Sequence, residues 1–225
     1  MKVAIIGAGK SGSKVIELLG KDQIQGIYDS KNPPNALKLH GADVAICFVT
    51  GEVALSIYQE LIEVKLPAVW ASTGLEWPNE IDSLLKEKKI PWIVANNFSL
   101  GMTLIRHMIK ILAKAKLLVD EPSFHIHDIH HAKKLDSPSG TAIWWKNWIE
   151  DEKCSITSER IGDVNGIHEI TMNTPFESIT LKHEAHDRKL FAKGAIEAAR
   201  LICQNKVNPG LNSFEDITDK MMEQK

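Results

Sequence analysis

The sequence predicts an α/β fold in two parts, an open parallel-sheet domain followed by an α+β domain. Three observations carry that reading. Short apolar runs alternate with helical patterns over the first hundred residues, a glycine-rich turn follows the first of these runs, and after Asn97 the rhythm changes to a long helix and segments that alternate with period two.

The first run, "KVAII" from Lys2 to Ile6, is broken by "GAGKSG", after which "SKVIELL" places Val15, Ile16 and Leu19 at helical spacing. The runs "IQGIY" (Ile24 to Tyr28), "DVAICFV" (Asp43 to Val49), "PAVWAS" (Pro67 to Ser72) and "IPWIVA" (Ile90 to Ala95) each have the length of a buried strand. Helical patterns at Glu52 to Val64 and Asn79 to Lys88 separate the later runs, so the strands pair in parallel through crossovers. Between Asp29 and Ala42 the paired prolines leave room for barely one helical turn, which predicts a loop or stub helix there.

Beyond Asn97, "SLGMTLIRHMIKILAKA" reads as one long helix with Leu104, Met108, Ile111 and Leu112 on its apolar face. Lys110, Lys114 and Lys116 gather toward its C-terminal end, where the helix dipole favours cations. The stretches "SFHIHDIHH", "GIHEITMN" and "SITLKHEA" alternate as strands of a half-buried sheet with helices on one face, and "AIWWKNWIE" is one of those helices. A last helix from Leu190 to Cys203 precedes a Pro-Gly break and a short terminal segment.

With 225 residues, 44% of them apolar, the chain can bury a core and is not disordered. The formal net charge is -2 and no long like-charged block occurs, which argues against nucleic-acid and membrane-surface partners and for a small molecule. Cys47, Cys154 and Cys203 are too few and too scattered for a disulfide framework or a Cys-x-x-Cys knuckle. Reduced thiols, no apolar run near ~20 residues and a glycine turn too early for a signal-peptide core together predict a cytoplasmic protein.

"GAGKSG" has the spacing Gly7-x-Gly9-x-x-Gly12 between a strand and a helix, and Asp29 closes the second strand at the ~20-residue offset of a Rossmann-like dinucleotide site. Gly7, Ala8, Gly9, Lys10, Ser11 and Gly12 then bring backbone N–H groups and a helix N-terminus to a pyrophosphate, and Asp29 accepts from ribose hydroxyls. Two like charges ~4 Å apart cost ~4 kcal/mol at an effective dielectric of 20, so a 2′-phosphate is disfavoured. NADH is therefore favoured over NADPH, with Lys10 and Lys31 pulling the other way. The turns carrying Ala71, Ser72 and Thr73 and carrying Ala95, Asn96, Asn97 and Phe98 lie outside strand carboxyl ends, where a nicotinamide and its ribose belong.

The stretch "HIHDIHHAKKLDSPSGTA" packs four of nine histidines between His125 and His131. On an extended strand His125, His127 and His131 share one face, with Asp128 and His130 near the other. Zinc wants three or four convergent ligands, and neither cysteine partners nor a His-Glu-x-x-His helix is present, so no metal is expected and His125 and His127 read as surface residues. Pro138 and Gly140 shape a turn, Ser139 or Thr141 can cap the next helix, and its open N–H groups with Lys134 form a carboxylate seat. A charge-assisted hydrogen bond is worth roughly 1.5–3 kcal/mol, enough for a few of them to hold a small diacid. His130 or Lys134 supplies the proton that a hydride transfer requires.

"DIHHAKKLDSPSGTA" resembles the signature of the dihydrodipicolinate reductase family, in which Glu-Ala-His-His, a lysine, Asp and Pro-Ser-Gly-Thr follow at this spacing. The similarity runs in order through "GAGKSG", "ASTG", "ANNFSLG", "RIGDVNGIHEI" and "HEAHDRKLFAKGAIEAA", nearly the whole chain. The resemblance implies pyridine-nucleotide-dependent reduction of 4-hydroxy-tetrahydrodipicolinate, with loss of water, to tetrahydrodipicolinate in diaminopimelate and lysine biosynthesis. It implies His130 as acid/base histidine, Lys134 as proton-donating lysine, and His131, Gly140 and Thr141 as substrate contacts beside Lys134 and Ser139. Nucleotide contacts fall on Gly7 to Gly12, Asp29, Ala71 to Thr73 and Ala95 to Phe98. The resemblance further implies that the last helix returns to the first domain, so that residues 1–98 and 187–225 form the dinucleotide-binding domain and residues 99–186 the substrate-binding domain, with a mixed, open sheet that builds a homotetramer.

The chain departs from the family pattern in a glycine turn one residue shorter, with Lys10 and Ser11 for Arg and Met, and in Ala71 for Gly, Asn96 for Ala and Asp128 for Glu. Two other readings remain: a two-domain NAD-dependent dehydrogenase of the amino-acid type, which would lack Lys134 and the Pro-Ser-Gly-Thr turn, and a nucleotide-sensing module without chemistry.

Overall fold

Apolar runs too short for helices and rich in Val and Ile become the strands of the first sheet in the computed structural model, which describes residues 1–72 and 74–223. The order is β1 (Val3–Ile6), α1 (Gly12–Leu18), β2 (Ile24–Tyr28), α2 (Ala36–Leu39), β3 (Val44–Cys47), α3 (Gly51–Glu63), β4 (Ala68–Trp70), α4 (Ile81–Lys88) and β5 (Pro91–Val94). Then come α5 (Leu100–Leu112), β6 (Ser123–His130), α6 (Gly140–Ile149), β7 (Ser155–Arg160), β8 (Ile167–Asn173), β9 (Ser178–Glu184), α7 (Lys189–Cys203), β10 (Gly210–Ser213) and α8 (Phe214–Glu223). Contacts divide the chain into two compact units, Met1–Leu100 with Arg188–Lys225, and Gly101–Asp187.

In the first unit six strands lie in the order β2-β1-β3-β4-β5-β10, every pair parallel. The Rossmann-like fold read from the sequence is therefore present. Parallel strands need both faces covered. One face packs Val15 of α1 and Leu19 at its C-cap with Ala192, Ala195, Ala198 and Ala199 of α7, and the other packs Ala54 and Leu61 of α3 with Leu85 of α4. α7 can lie close because its small residues face the core: a Cβ on Gly194 would sit 1.7 Å from the Phe98 carbonyl oxygen. The stub helix between the paired prolines and Ala42 is α2, four residues long and capped by Asn35, whose side chain accepts from the Lys38 N–H. The terminal segment, read from sequence only as short, forms β10 and α8 and completes the sheet edge.

The second unit is a four-stranded mixed sheet, β7-β6-β8-β9, in which β6 and β7 are parallel and the other pairs antiparallel. α5 and α6 cover one face, burying Met102, Ile105, Ile109, Ala142, Trp145 and Ile149 against Phe124, Ile126, Ile170 and Met172. β7 forms in the connection after α6, to which the sequence reading assigned no element.

Two expectations are corrected here. Of the row expected to be the apolar face of α5, Leu112 packs on the core but Leu104, Met108 and Ile111 are 48%, 39% and 68% exposed; the neighbouring row Met102, Ile105 and Ile109 is buried. Both rows are apolar, so helical periodicity could not choose between them. His131 does not share a strand face with His125 and His127, because β6 ends at His130 and the His131 N–H turns away to the Val164 carbonyl.

Candidate active site

In the first unit the carboxyl ends of β1, β2 and β3 open into a cavity of about 830 Å³ at the point where the strand order reverses. Gly7, Ala8, Gly9, Lys10, Ser11, Asp29 and Ala71 line it, together with Pro33, Pro34, Thr50, Val53 and Ile57, which the sequence reading did not single out. Gly7 has φ +90, and a Cβ there would lie 2.3 Å from the Phe48 carbonyl oxygen, so only glycine makes this turn. A Cβ on Gly12 would meet the Gly7 carbonyl oxygen at 1.7 Å, which explains the close seating of α1 under the turn. Gly9 has nothing within 4 Å of its Cβ position, leaving its backbone open for a close-lying phosphate group. These residues fit a dinucleotide.

Asp29 Oδ1 accepts from the Lys31 and Asn32 N–H groups at 2.8 and 2.9 Å, which holds its carboxylate at the end of β2. A second cavity of about 200 Å³ is lined by Ser72, Ala95 and Asn96 with Trp70, Trp77 and Glu215. Trp70 Nε1 and Ser72 Oγ are buried and have no hydrogen-bond partner among the described residues. In the same turn Asn97 Oδ1 accepts from the Ser99 N–H, and Phe98, 1% exposed, packs on Phe214. Thr73 lies outside the described residues.

The second unit builds its site from strand register. Along the covered face, the row Ile156, Ile126, Ile170 and Leu181 is followed two residues on by the row Ser158, Asp128, His168 and His183. The next pair is Arg160 and His130. The face thus turns from apolar to polar at the carboxyl end of β6. Asp128 is fully buried, and its neighbours are His130 Nδ1 at 2.9 Å, His168 Nε2 at 3.3 Å, Arg160 Nη2 at 3.1 Å, Ser158 Oγ at 3.2 Å and the Ser139 N–H at 2.9 Å. Burial pushes the Asp128 carboxyl up, but the contacts from His130, His168 and Ser139 outweigh it and hold it far below the usual carboxylate range. Burial pushes His168 down, against the opposing pull of Asp128.

The candidate ligand atoms of Asp128, His130 and His168 lie within 4.8 Å of one another, close enough for a metal ion. The Arg160 guanidinium already rests on that carboxylate. A second cation would meet it at short range, so a hydrogen-bonded cluster is the better reading.

Ser139 caps α6: its Oγ accepts from the Ala142 N–H and lies 3.2 Å from His168 Nε2. Lys134 Nζ pairs with Asp136 Oδ1 at 2.7 Å, and the Asp136 carboxyl also takes a backbone hydrogen bond from Gly140. Lys134 first, then these backbone contacts, hold Asp136 below the ordinary carboxylate range. A carboxylate thus occupies the place between lysine and helix end where the sequence reading put a ligand's carboxylate. Gly140 and Thr141 form the first turn of α6. His125 and His127 lie on the uncovered face, where both bond Thr157 Oγ1.

Sequence reading missed His168, Arg160 and Ser158 as site residues. Arg160 and His168 do stand in the stretch "RIGDVNGIHEI", but what brings them to Asp128 is the pairing register, Asp128 opposite Ser158 and His168, which spans 30 and 40 residues of chain.

Two family models match this chain: "Dihydrodipicolinate reductase, N-terminus" over residues 1–98 and "Dihydrodipicolinate reductase, C-terminus" over residues 101–218. The 4-hydroxy-tetrahydrodipicolinate reductase of Bdellovibrio bacteriovorus is 31% identical over 96% of this chain and 96% of its own length. That of Syntrophus aciditrophicus is 28% identical over 94% and 95%. Among solved structures, a dipicolinate-bound dihydrodipicolinate reductase from Paenisporosarcina sp. TG-14 superposes with a TM-score of 0.76 at 20% identity, over 96% of this chain and 99% of that one, a likeness of fold.

Proposed function

From the premise that the chain belongs to the dihydrodipicolinate reductase family, we propose how its two units carry out the family reaction. The protein is an NAD(P)H-dependent oxidoreductase that reduces 4-hydroxy-tetrahydrodipicolinate to tetrahydrodipicolinate in diaminopimelate and lysine biosynthesis. The amino-acid dehydrogenase and nucleotide-sensor readings are not favoured. One hydride and one proton are consumed, and the hydroxyl leaves as water.

The observation that carries the assignment of roles is the polar end of the second sheet, where His130 and the Ser139 cap of α6 both contact Asp128 and Lys134 lies in the connection between them. Lys134 Nζ and the Gly140 and Thr141 N–H groups grip a ring carboxylate, displacing Asp136 from that place. His131 and Ser139 flank them. His130 has Nδ1 turned to Asp128, which leaves Nε2 to move the proton; Gly166, at φ +152, keeps the space beside it clear, since a Cβ there would come within 3.1 Å.

The first unit holds the nucleotide. Gly7 to Gly12 take the pyrophosphate, Asp29 the adenosine ribose, and Ala71, Ser72, Ala95 and Asn96 the nicotinamide end, where the unpartnered Trp70 Nε1–H and Ser72 hydroxyl fit a carboxamide. The nicotinamide supplies the hydride when bound. NADH is favoured over NADPH because the fixed Asp29 carboxylate opposes a 2′-phosphate.

A homotetramer through the uncovered face of the second sheet and a cytoplasmic location complete the reading. Its support is that face, edged by Ile129 and Ile167, the free state of Cys47, Cys154 and Cys203, and the fact that no helix among the described residues is long and apolar enough to cross a membrane. The test is to supply 4-hydroxy-tetrahydrodipicolinate with NADH, then NADPH, and follow nicotinamide absorbance. Oxidation with a preference for NADH is expected; no oxidation by the folded chain refutes the function.

A further inference from the structure

We propose that Asp128 and His168 are positioning residues that tie the proton-moving group, His130, to the carboxylate seat at the start of α6, so that one buried carboxylate sets the geometry of both. The inference rests on the reading that this site takes a dicarboxylate and that His130 moves the proton.

A carboxylate offers two oxygens with about four lone-pair sites, and Asp128 uses both oxygens on neighbours from four different segments. Oδ1 faces His130 Nδ1 and His168 Nε2. Oδ2 takes the Ser139 N–H, Ser158 Oγ and Arg160 Nη2. Its short side chain on a central strand, with no exposed surface, has little freedom to move away. Three consequences follow from these contacts.

The first concerns the imidazole of His130. With Nδ1 2.9 Å from the buried Asp128 Oδ1, the carboxylate favours the tautomer that carries its proton on Nδ1, and Nε2 is left to exchange a proton. The second concerns the seat. Ser139 is the N-cap of α6, so fixing its N–H on Asp128 fixes where the Gly140 and Thr141 N–H groups point. The third concerns His168, whose Nε2 lies near both Asp128 Oδ1 and Ser139 Oγ and so links the carboxylate to the cap by a second route. Trp145 of the same helix packs against the His168 ring at 5.7 Å, and burial pushes the His168 imidazole down from its ordinary value, which works against a competing cation at this point.

The test uses the full chain as wild type, Asp128→Asn, Asp128→Glu and His168→Gln. It measures turnover, dipicolinate affinity by titration, melting temperature, and the nitrogen chemical shifts of the His130 ring. Carboxylates that orient metal-ligating histidines are worth roughly 10–100-fold, and by analogy Asp128→Asn is expected to lower kcat by about that factor, weaken dipicolinate binding and leave NADH affinity unchanged. Asp128→Glu should recover part of kcat, a rescue that a purely structural role would not favour over the isosteric amide. His168→Gln should weaken dipicolinate binding and raise KM by a larger factor than it lowers kcat.

In the wild type the His130 proton should reside on Nδ1, and in Asp128→Asn it should redistribute between the two nitrogens. An unchanged tautomer together with unchanged dipicolinate affinity in Asp128→Asn overturns the proposal. If Asp128→Asn does not fold, His168→Gln decides, since it keeps the Asp128–Arg160 pair: normal dipicolinate affinity there overturns the link to the seat. The tautomer and dipicolinate readings need no turnover, so a wild type that binds dipicolinate yet oxidises no nucleotide counts against the assigned reaction and not against this coupling.

Discussion

The two units prepare their sites by opposite means. In the first, the cavity floor is backbone: Gly7 and Gly12 are glycines because a Cβ would strike a carbonyl oxygen, and Gly9 leaves its amide open. In the second, the site is side chains, with Asp128, His130, His168, Arg160 and Ser139 drawn together by strand register and a helix cap. A backbone site tolerates change in its lining but not in its glycines. A side-chain cluster around a buried charge fails when any one partner is removed, because the others are left unsatisfied.

The largest effect that sharpens this contrast is expected at His130. Replacing a proton-transfer group costs ~10²–10⁴ in rate, so His130→Gln should lose turnover by that factor while NADH titration by fluorescence stays at the wild-type affinity. A parallel loss of NADH binding would erase the division of labour between the units.

The glycine turn gives the next test. Gly12→Ala places a Cβ 1.7 Å from the Gly7 carbonyl oxygen and should destabilise the first unit by about 1–3 kcal/mol, visible as a lower melting temperature. Gly9→Ala meets nothing within 4 Å and should keep its melting temperature while binding nucleotide less tightly. If the two variants melt alike, the turn is not the backbone cradle described above.

What was legible in the sequence divides along the same line. The glycine turn and Asp29 could be read because their relation is local: a strand, a tight turn and a helix fall within thirty residues. The polar cluster was half legible. His130, Lys134, Ser139 and Gly140 lie within one short stretch, but His168 and Arg160 reach them only through pairings whose register no single-chain pattern fixes. For α5, apolar residues on two adjacent rows made the buried side ambiguous, and packing on Phe124 and Ile126 chose Met102, Ile105 and Ile109. β7 and β10 are short edge strands, β7 alternating exposed and half-buried residues and β10 reading Gly-Leu-Asn-Ser, too weak in apolar pattern to be seen before their partners are known.

The smallest effect is on stability against pH, and it belongs to the second unit. His168 titrates lower in the folded chain than its unfolded value of about 6.5, so below that pH the unfolded chain takes up a proton that the folded chain resists, and stability falls. Asp128, also held low when folded, adds a second loss of the same sign as pH drops through about 3.9. Melting curves between pH 7 and 5 should therefore descend, and His168→Gln should flatten them in part, since burial holds His183 down in the same direction. A His168→Gln protein whose melting temperature falls as steeply as the wild type would remove His168 from this role.

The most direct test of the central claim, that the capped start of α6 with Lys134 is a carboxylate seat, is a titration of the isotope-labelled protein with dipicolinate followed by amide NMR. The Gly140 and Thr141 amide resonances should shift most, with His130 and Lys134 side-chain signals moving alongside them. Saturable binding whose shifts leave Gly140, Thr141 and Lys134 untouched would contradict it.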